Sequence, residues 1–180
     1  MTLYINCCVR SESRTDRLAR AVLAGMGDYT ELYLPEMPLH PLTREMLDRR
    51  SALQAAGDFE NPMFDLAHQF ADAERIVIGA PFWDGSFPSV LKVYLENIYA
   101  IGIVTDYAPD GTPVGMCRAK ELVYVTTAGG RYIPDYSYEY IRSLAGRYFG
   151  IANTRLVMAE MLDIAGFDAE QIMQDALRTI

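Results

Sequence analysis

Five short runs rich in branched and aromatic apolar residues, with stretches of helical spacing between them, constrain this chain more than any other feature. The runs lie at 2–8, 29–34, 75–80, 121–126 and 154–161, each of strand rather than helix length. In the third, Ile76, Val77 and Ile78 follow one another without a polar residue between them. A strand with one wet face alternates, whereas a strand buried on both faces does not, so this run predicts a parallel sheet covered on two sides. The spacing predicts helices after Ser13 or Thr15 (Leu18, Val22 and Met26 on one face), over 43–56 and 61–73, after Pro88, over 136–148 and over 169–177. The stretch 35–42, PEMPLHPL, is too broken by proline for regular helix, and Asp110-Gly111 is a good hairpin-turn pair. Strands alternating with helices predict one α/β domain over 1–180. Right-handed crossovers favour a five-stranded parallel sheet of order 2-1-3-4-5, the flavodoxin-like three-layer sandwich.

Composition removes several function classes. At 180 residues, 51% hydrophobic and 22% charged, the chain is long enough for one sizeable core and is not of disordered composition. A net charge of −8 repels phosphate backbones and anionic bilayers, so neither nucleic acid nor a membrane is an expected partner. No apolar stretch has spanning length, and the start MTLYINCC lacks the basic segment of a signal peptide. Cys7, Cys8 and Cys117 are odd in number without CxxC spacing, so a disulfide framework is not expected and a cytoplasmic setting is. His40 and His68 stand outside any ligand-like cluster, and no metal site is expected.

In a sheet of this order ligands bind beyond the carboxyl ends of the strands, near the switch between strands 1 and 3. Three loops converge there. The first offers Ser11, Ser13 and Thr15 at a helix start, where free N–H groups and the helix dipole suit a phosphate; Arg10, Arg14 and Arg17 add positive charge. Alone, it is equally an ordinary capped helix. The third loop, TTAGGRY over 126–132, pairs two glycines after a buried strand (Thr127, Ala128, Gly129 and Gly130), which allows close backbone approach to a planar heterocycle, or is a simple strand-to-helix turn. The middle loop decides between these readings. Pro81, Phe82, Trp83, Asp84 and Gly85 follow directly on a buried strand, an unusual place for core aromatics and a suitable one for a ring with one apolar and one polar side. Phosphate at the first loop and ring at the other two describe FMN. A phosphoacceptor domain needs acids at the ends of strands 1 and 3, and a dinucleotide fold needs GxGxxG after strand 1; neither is present.

The segment GAPFWDGSFPSVLKVYLENIYAIGIVTDY, followed by LVYVTTAGG, resembles the FMN-dependent azoreductase and NAD(P)H:quinone oxidoreductase family of flavodoxin-like flavoproteins, most specifically over 76–130. The resemblance implies a homodimeric FMN enzyme. It would take hydride from NADH or NADPH and pass two electrons to a quinone, azo or nitro acceptor by a ping-pong cycle. By position it implies Ser13 and Thr15 at the FMN phosphate, Pro81 to Gly85 beside the isoalloxazine, and Thr127 to Gly130 at its pyrimidine edge. It implies Tyr107 reaching toward a neighbouring subunit's site, and Tyr132 near the flavin N5 side as proton donor or substrate-orienting group. The chain departs from the family at Trp83-Asp84-Gly85, where relatives commonly read Tyr-Asn-Phe, and at Cys7-Cys8, where serines are typical. Other classes the sequence allows are a flavodoxin-like one-electron carrier and a family member that binds no flavin.

Overall fold

Side chains on successive residues of a strand face opposite ways, so the central strands must bury two apolar surfaces at once. Leu3 and Ile5 face one side with Ile76, Ile78, Leu122 and Tyr124; Tyr4, Val77, Val123 and Val125 face the other. The computed structural model describes all residues 1–180. In chain order its elements are β1 (Thr2–Asn6), α1 (Arg14–Ala24), β2 (Tyr29–Tyr33), α2 (Arg44–Ala56), α3 (Asp65–Asp72), β3 (Arg75–Gly79), α4 (Ser89–Ile98), β4 (Thr105–Tyr107), β5 (Pro113–Gly115), β6 (Glu121–Thr127), α5 (Tyr138–Leu144), β7 (Thr154–Ala159) and α6 (Ala169–Leu177).

The main sheet runs β2-β1-β3-β6-β7 and every neighbouring pair is parallel. Counted without the separate antiparallel β4–β5 pair, its order is 2-1-3-4-5. Helices α1 and α6 cover the Tyr4 side, and α3, α4 and α5 cover the Leu3 side. The register places Asn6 beside Tyr33 on one flank and Gly79 on the other. The carboxyl ends of the three strands therefore finish level, and the loops that follow them emerge together.

Element ends differ from the sequence reading for local reasons. Strand 1 stops at Asn6, not Cys8, because the Cys8 N–H turns to the Asn6 side chain at 2.9 Å. The last strand stops at Ala159, short of 161, where Met161 takes a left-handed φ of 65°. The helix read over 61–73 opens as a 3₁₀ turn at Pro62–Phe64. The one read over 136–148 starts at Tyr138, since Ser137 and Glu139 both donate N–H bonds to Pro134 O. It ends in a π-helical turn, Ala145–Phe149.

Helix α2 has almost no apolar face of its own. Thr43 caps its start through the Met46 N–H at 3.2 Å. Its one buried residue, Arg50, donates to the carbonyls of Glu96, Asn97 and Tyr99 at 3.0–3.4 Å. A guanidinium there satisfies carbonyls left open at the end of α4 and opposes the negative end of its dipole.

Candidate functional site

Helix α1 starts where Ser13 Oγ accepts the Asp16 N–H at 3.2 Å, so Ser13 rather than Thr15 is the cap. The N–H groups of Arg14 and Thr15, in the first turn, have no intrahelical acceptor. Thr15 is buried, with its hydroxyl 2.6 Å from that of Thr127 at the end of β6. This bond ties the first loop to the third across the sheet. The arginines differ from the sequence reading. Arg14 pairs with Asp163 at 2.9 Å, and Arg17 is held by both Glu170 oxygens at 2.8 and 2.9 Å. Arg17 is therefore committed elsewhere, and only Arg10 stands without an ion pair.

The second loop forms a wall. The Phe82 N–H donates to Thr127 O at 3.0 Å, continuing the β3–β6 edge for one step. Trp83 and Ser86 then exchange N–H bonds at 2.9 and 2.8 Å around Asp84 (φ 50°) and Gly85 (φ 82°). Two consecutive positive φ angles between reciprocally bonded residues make a two-residue hairpin turn, for which Asp-Gly is a preferred pair. The sequence reading assigned that role only to Asp110-Gly111. That pair also turns, with Gly111 at φ 83° between β4 and β5.

In the third loop Thr127, Ala128 and Gly129 run beside 159–163, with Asp163 N–H donating to Gly129 O and Met161 N–H to Gly130 O, both at 2.9 Å. Neither glycine takes a positive φ. A methyl group on Gly129 would meet the Asp163 carboxylate, an exposed side chain that can move aside, so this contact does not by itself demand glycine.

Together these loops enclose a cleft of about 440 Å³. Of the sequence-derived residues it is lined by Ser13, Thr15, Pro81, Phe82, Trp83, Thr127, Ala128 and Gly129. Asp84, Gly85 and Gly130 lie outside the lining; the first two form the exposed hairpin tip. Its charged lining residues, Arg10, Arg14, Glu12 and Asp163, cancel in formal charge, so any anion held here depends on N–H and hydroxyl donors more than on net charge.

Two tyrosines lie outside the cleft. Tyr132 is buried behind the wall, its ring edge-on to Phe82 with centroids 5.0 Å apart, its hydroxyl 2.9 Å from Ser137 Oγ and its N–H on Glu160 at 2.6 Å. Burial raises its pKa, and it does not line the cleft. Tyr107, on β4, lies in a second groove with Arg50, Lys92, Tyr99, Tyr140 and Tyr148, its hydroxyl 3.1 Å from that of Tyr99.

The sequence reading missed Cys8, Leu162 and Asp163 as lining residues. The rule about strand carboxyl ends applied equally to the loop after the fifth strand and would have found the last two. Burial pushes the Cys8 thiol from 9.0 up to about 11, and the buried Cys7 rises as well. A raised folded pKa leaves stability whole below pH 9, where unfolded thiols are protonated, and removes it as pH climbs toward 11. Thermal midpoints measured from pH 8 to 11 should therefore fall, and Cys8→Ser should make the fall shallower; an identical slope in the variant would sink this account.

Residues 1–180 match, end to end, the model of the Flavodoxin_2 family, described as a flavodoxin-like fold. The chain belongs to that family. Among similar proteins, the FMN-dependent NADH:quinone oxidoreductase 2 of Clostridium acetobutylicum is 36% identical over 142 residues, covering 76% of this chain and 70% of that protein. The FMN-dependent NADH:quinone oxidoreductase of Coprothermobacter proteolyticus is 29% identical over 179 residues, covering 93% and 88%. A solved FMN-dependent NADH-azoreductase of Bacillus anthracis in complex with FMN matches with a TM-score of 0.81 at 21% identity, covering 99% of this chain and 94% of that one. At that identity the structural likeness speaks for the flavodoxin-like fold alone. The family resemblance drawn from 76–130 is borne out by these matches.

Proposed function

We propose that this Flavodoxin_2 member is an FMN-dependent NADH oxidoreductase passing two electrons to a quinone or azo acceptor, with nitro compounds as further acceptors, in a ping-pong cycle. The observation that carries the reading is the single cleft in which the start of α1, the Phe82–Trp83 wall and the end of β6 meet. Its volume of about 440 Å³ falls within the usual range for small-molecule and cofactor sites. Its donor set also fits FMN: free N–H groups and hydroxyls at one end, apolar rings at the other. The relatives' dependence on FMN and NADH supports the cofactor and donor.

In this reading Ser13, Thr15 and the N–H groups of Arg14 and Thr15 hold the phosphate. Phe82 and Trp83 flank the ring, Asp84 and Gly85 set the turn that presents them, and Thr127, Ala128, Gly129 and Gly130 run along the pyrimidine edge. When bound, FMN supplies hydride acceptance and two-electron release, while the protein binds and orients. In this reading Tyr132 acts by bracing Phe82, with its hydroxyl bonded to Ser137, rather than by donating a proton. We further propose that the chain works as one domain, in the cytoplasm, consistent with three free cysteines. We propose a homodimer: Tyr107 and the exposed Ile101, Val114 and Met116 offer apolar area near the second groove.

The test is a visible spectrum after FMN is added and the excess removed by desalting, followed by anaerobic NADH titration. A retained flavin that bleaches fully at one equivalent and recovers when a quinone is added is the expected result. A folded but colourless protein overturns the reading, and bleaching that halts at the one-electron level points to a carrier.

A further inference from the structure

A buried carboxamide governs where the first loop goes. Asn6, at the end of the central strand β1, is 3% exposed. Its Oδ1 accepts the Cys8 N–H at 2.9 Å, while Nδ2 donates to Glu31 Oε1 on β2 at 2.8 Å and to Asp16 Oδ1 on α1 at 3.2 Å. Asp16 Oδ1 also accepts the Tyr4 hydroxyl at 2.8 Å, and its other oxygen takes Arg20 Nε at 2.8 Å. Arg20 closes the circuit on both Glu31 oxygens at 3.0 and 3.1 Å. One side chain thus joins the strand end, the first residue that leaves the sheet, and the first turn of α1.

Only a carboxamide performs all three tasks at this site. It presents an acceptor to one backbone N–H and donors to two carboxylates. An aspartate would lose both donated bonds and place a third carboxylate against Asp16 and Glu31. An alkyl side chain would leave the buried Cys8 N–H without a partner.

We propose that Asn6 is a positioning residue for the phosphate end of the cleft: by fixing the Cys8 amide and Asp16 together, it sets the path of residues 9–15 and so the aim of the donors on Ser13, Arg14 and Thr15. This rests on the flavin reading above. Asn6's side-chain hydrogen bonds go to Asp16, Glu31 and Cys8 and none to the second loop, so its loss should cost recognition of the phosphate and spare recognition of the tricycle.

Dissociation constants for FMN and riboflavin, which differ by the phosphate, separate these ends. In Asn6→Asp the preference for FMN over riboflavin should fall about tenfold or more, since both hydrogen bonds donated to carboxylates are lost. Riboflavin affinity should stay within about threefold on the same grounds. Asn6→Ser, whose hydroxyl can still accept from Cys8 N–H but reaches at most one carboxylate, should fall between. It decides the matter if circular dichroism shows Asn6→Asp to be unfolded. An unchanged ratio, or equal weakening of both ligands, overturns the positioning role while leaving the flavin reading intact. A wild-type protein that binds neither ligand overturns both.

Discussion

Gly115→Ala is expected to lower the unfolding free energy by about 3 kcal/mol, at the upper end for overpacking a fixed site, and the thermal midpoint by roughly 6–12 °C for a chain of this size. Gly115 ends β5, where the β4–β5 hairpin lies against the close of the π-helical turn. A methyl group on it would fall inside the backbone of Phe149 and Gly150. The clash is with main chain on both sides, so no rotamer change relieves it. Nor is the turn free to retreat: the Cys117 N–H donates to Phe149 O at 3.2 Å, and Ile151 N–H to Ala145 O at 2.9 Å. Gly146→Ala, with nothing within 4 Å of the added carbon, is the matched control and should melt near wild type. If differential scanning calorimetry places the two variants together, the close approach is not a constraint. A side effect is expected in solution assembly, because the hairpin carries Tyr107 into the second groove.

The second large effect concerns the cleft. Phe82→Ala should weaken FMN binding by about 2 kcal/mol, roughly thirtyfold, the scale of losing one well-packed aromatic anchor. The ring does two things: it lines the cleft, and it meets Tyr132 edge-on at 5.0 Å. Removing it opens the wall and leaves Tyr132 without its partner. Tyr132→Phe keeps that ring contact and deletes only the hydroxyl. Turnover and affinity in this variant should therefore remain within about twofold of wild type, a hydrogen bond's modest net worth when both partners stay packed. Isothermal titration and steady-state rates with a quinone give both quantities. A collapse of kcat in Tyr132→Phe would restore the tyrosine as a proton donor, and undiminished FMN affinity in Phe82→Ala would remove the wall from the site.

The departure at Asp84-Gly85 reads differently once the backbone is known. In sequence, the aspartate looks like a charge placed beside the ring. In the structure, Asp84 and Gly85 carry φ of 50° and 82° and sit at an exposed tip outside the cleft. Their chemistry is that of a turn, and it is Trp83, held by its exchange with Ser86, that faces the site.

Much of this protein is written in local pattern. The unbroken apolar run of β3 demanded burial on both faces, alternating elements demanded parallel strands, and strand order then placed three loops together at one sheet edge. Ser13, Thr15, Phe82, Trp83 and Gly129 were legible as cleft residues because each lies in the loop or helix start that follows a strand end, and strand ends are set by short-range signals. Tertiary structure decided what depends on partners distant in sequence. Arg14 and Arg17 look like free positive charge until Asp163 and Glu170, some 150 positions away, are folded against them. Tyr132 looks like a cleft residue until Ser137 and Phe82 claim its two ends. Asn6 gave no signal at all, since a lone amide becomes a junction only when β1, β2 and α1 converge on it. Strand and helix patterns reflect each residue's own preference for water or core, whereas charges and hydrogen bonds take their meaning from whichever partner the fold brings within 3 Å or so.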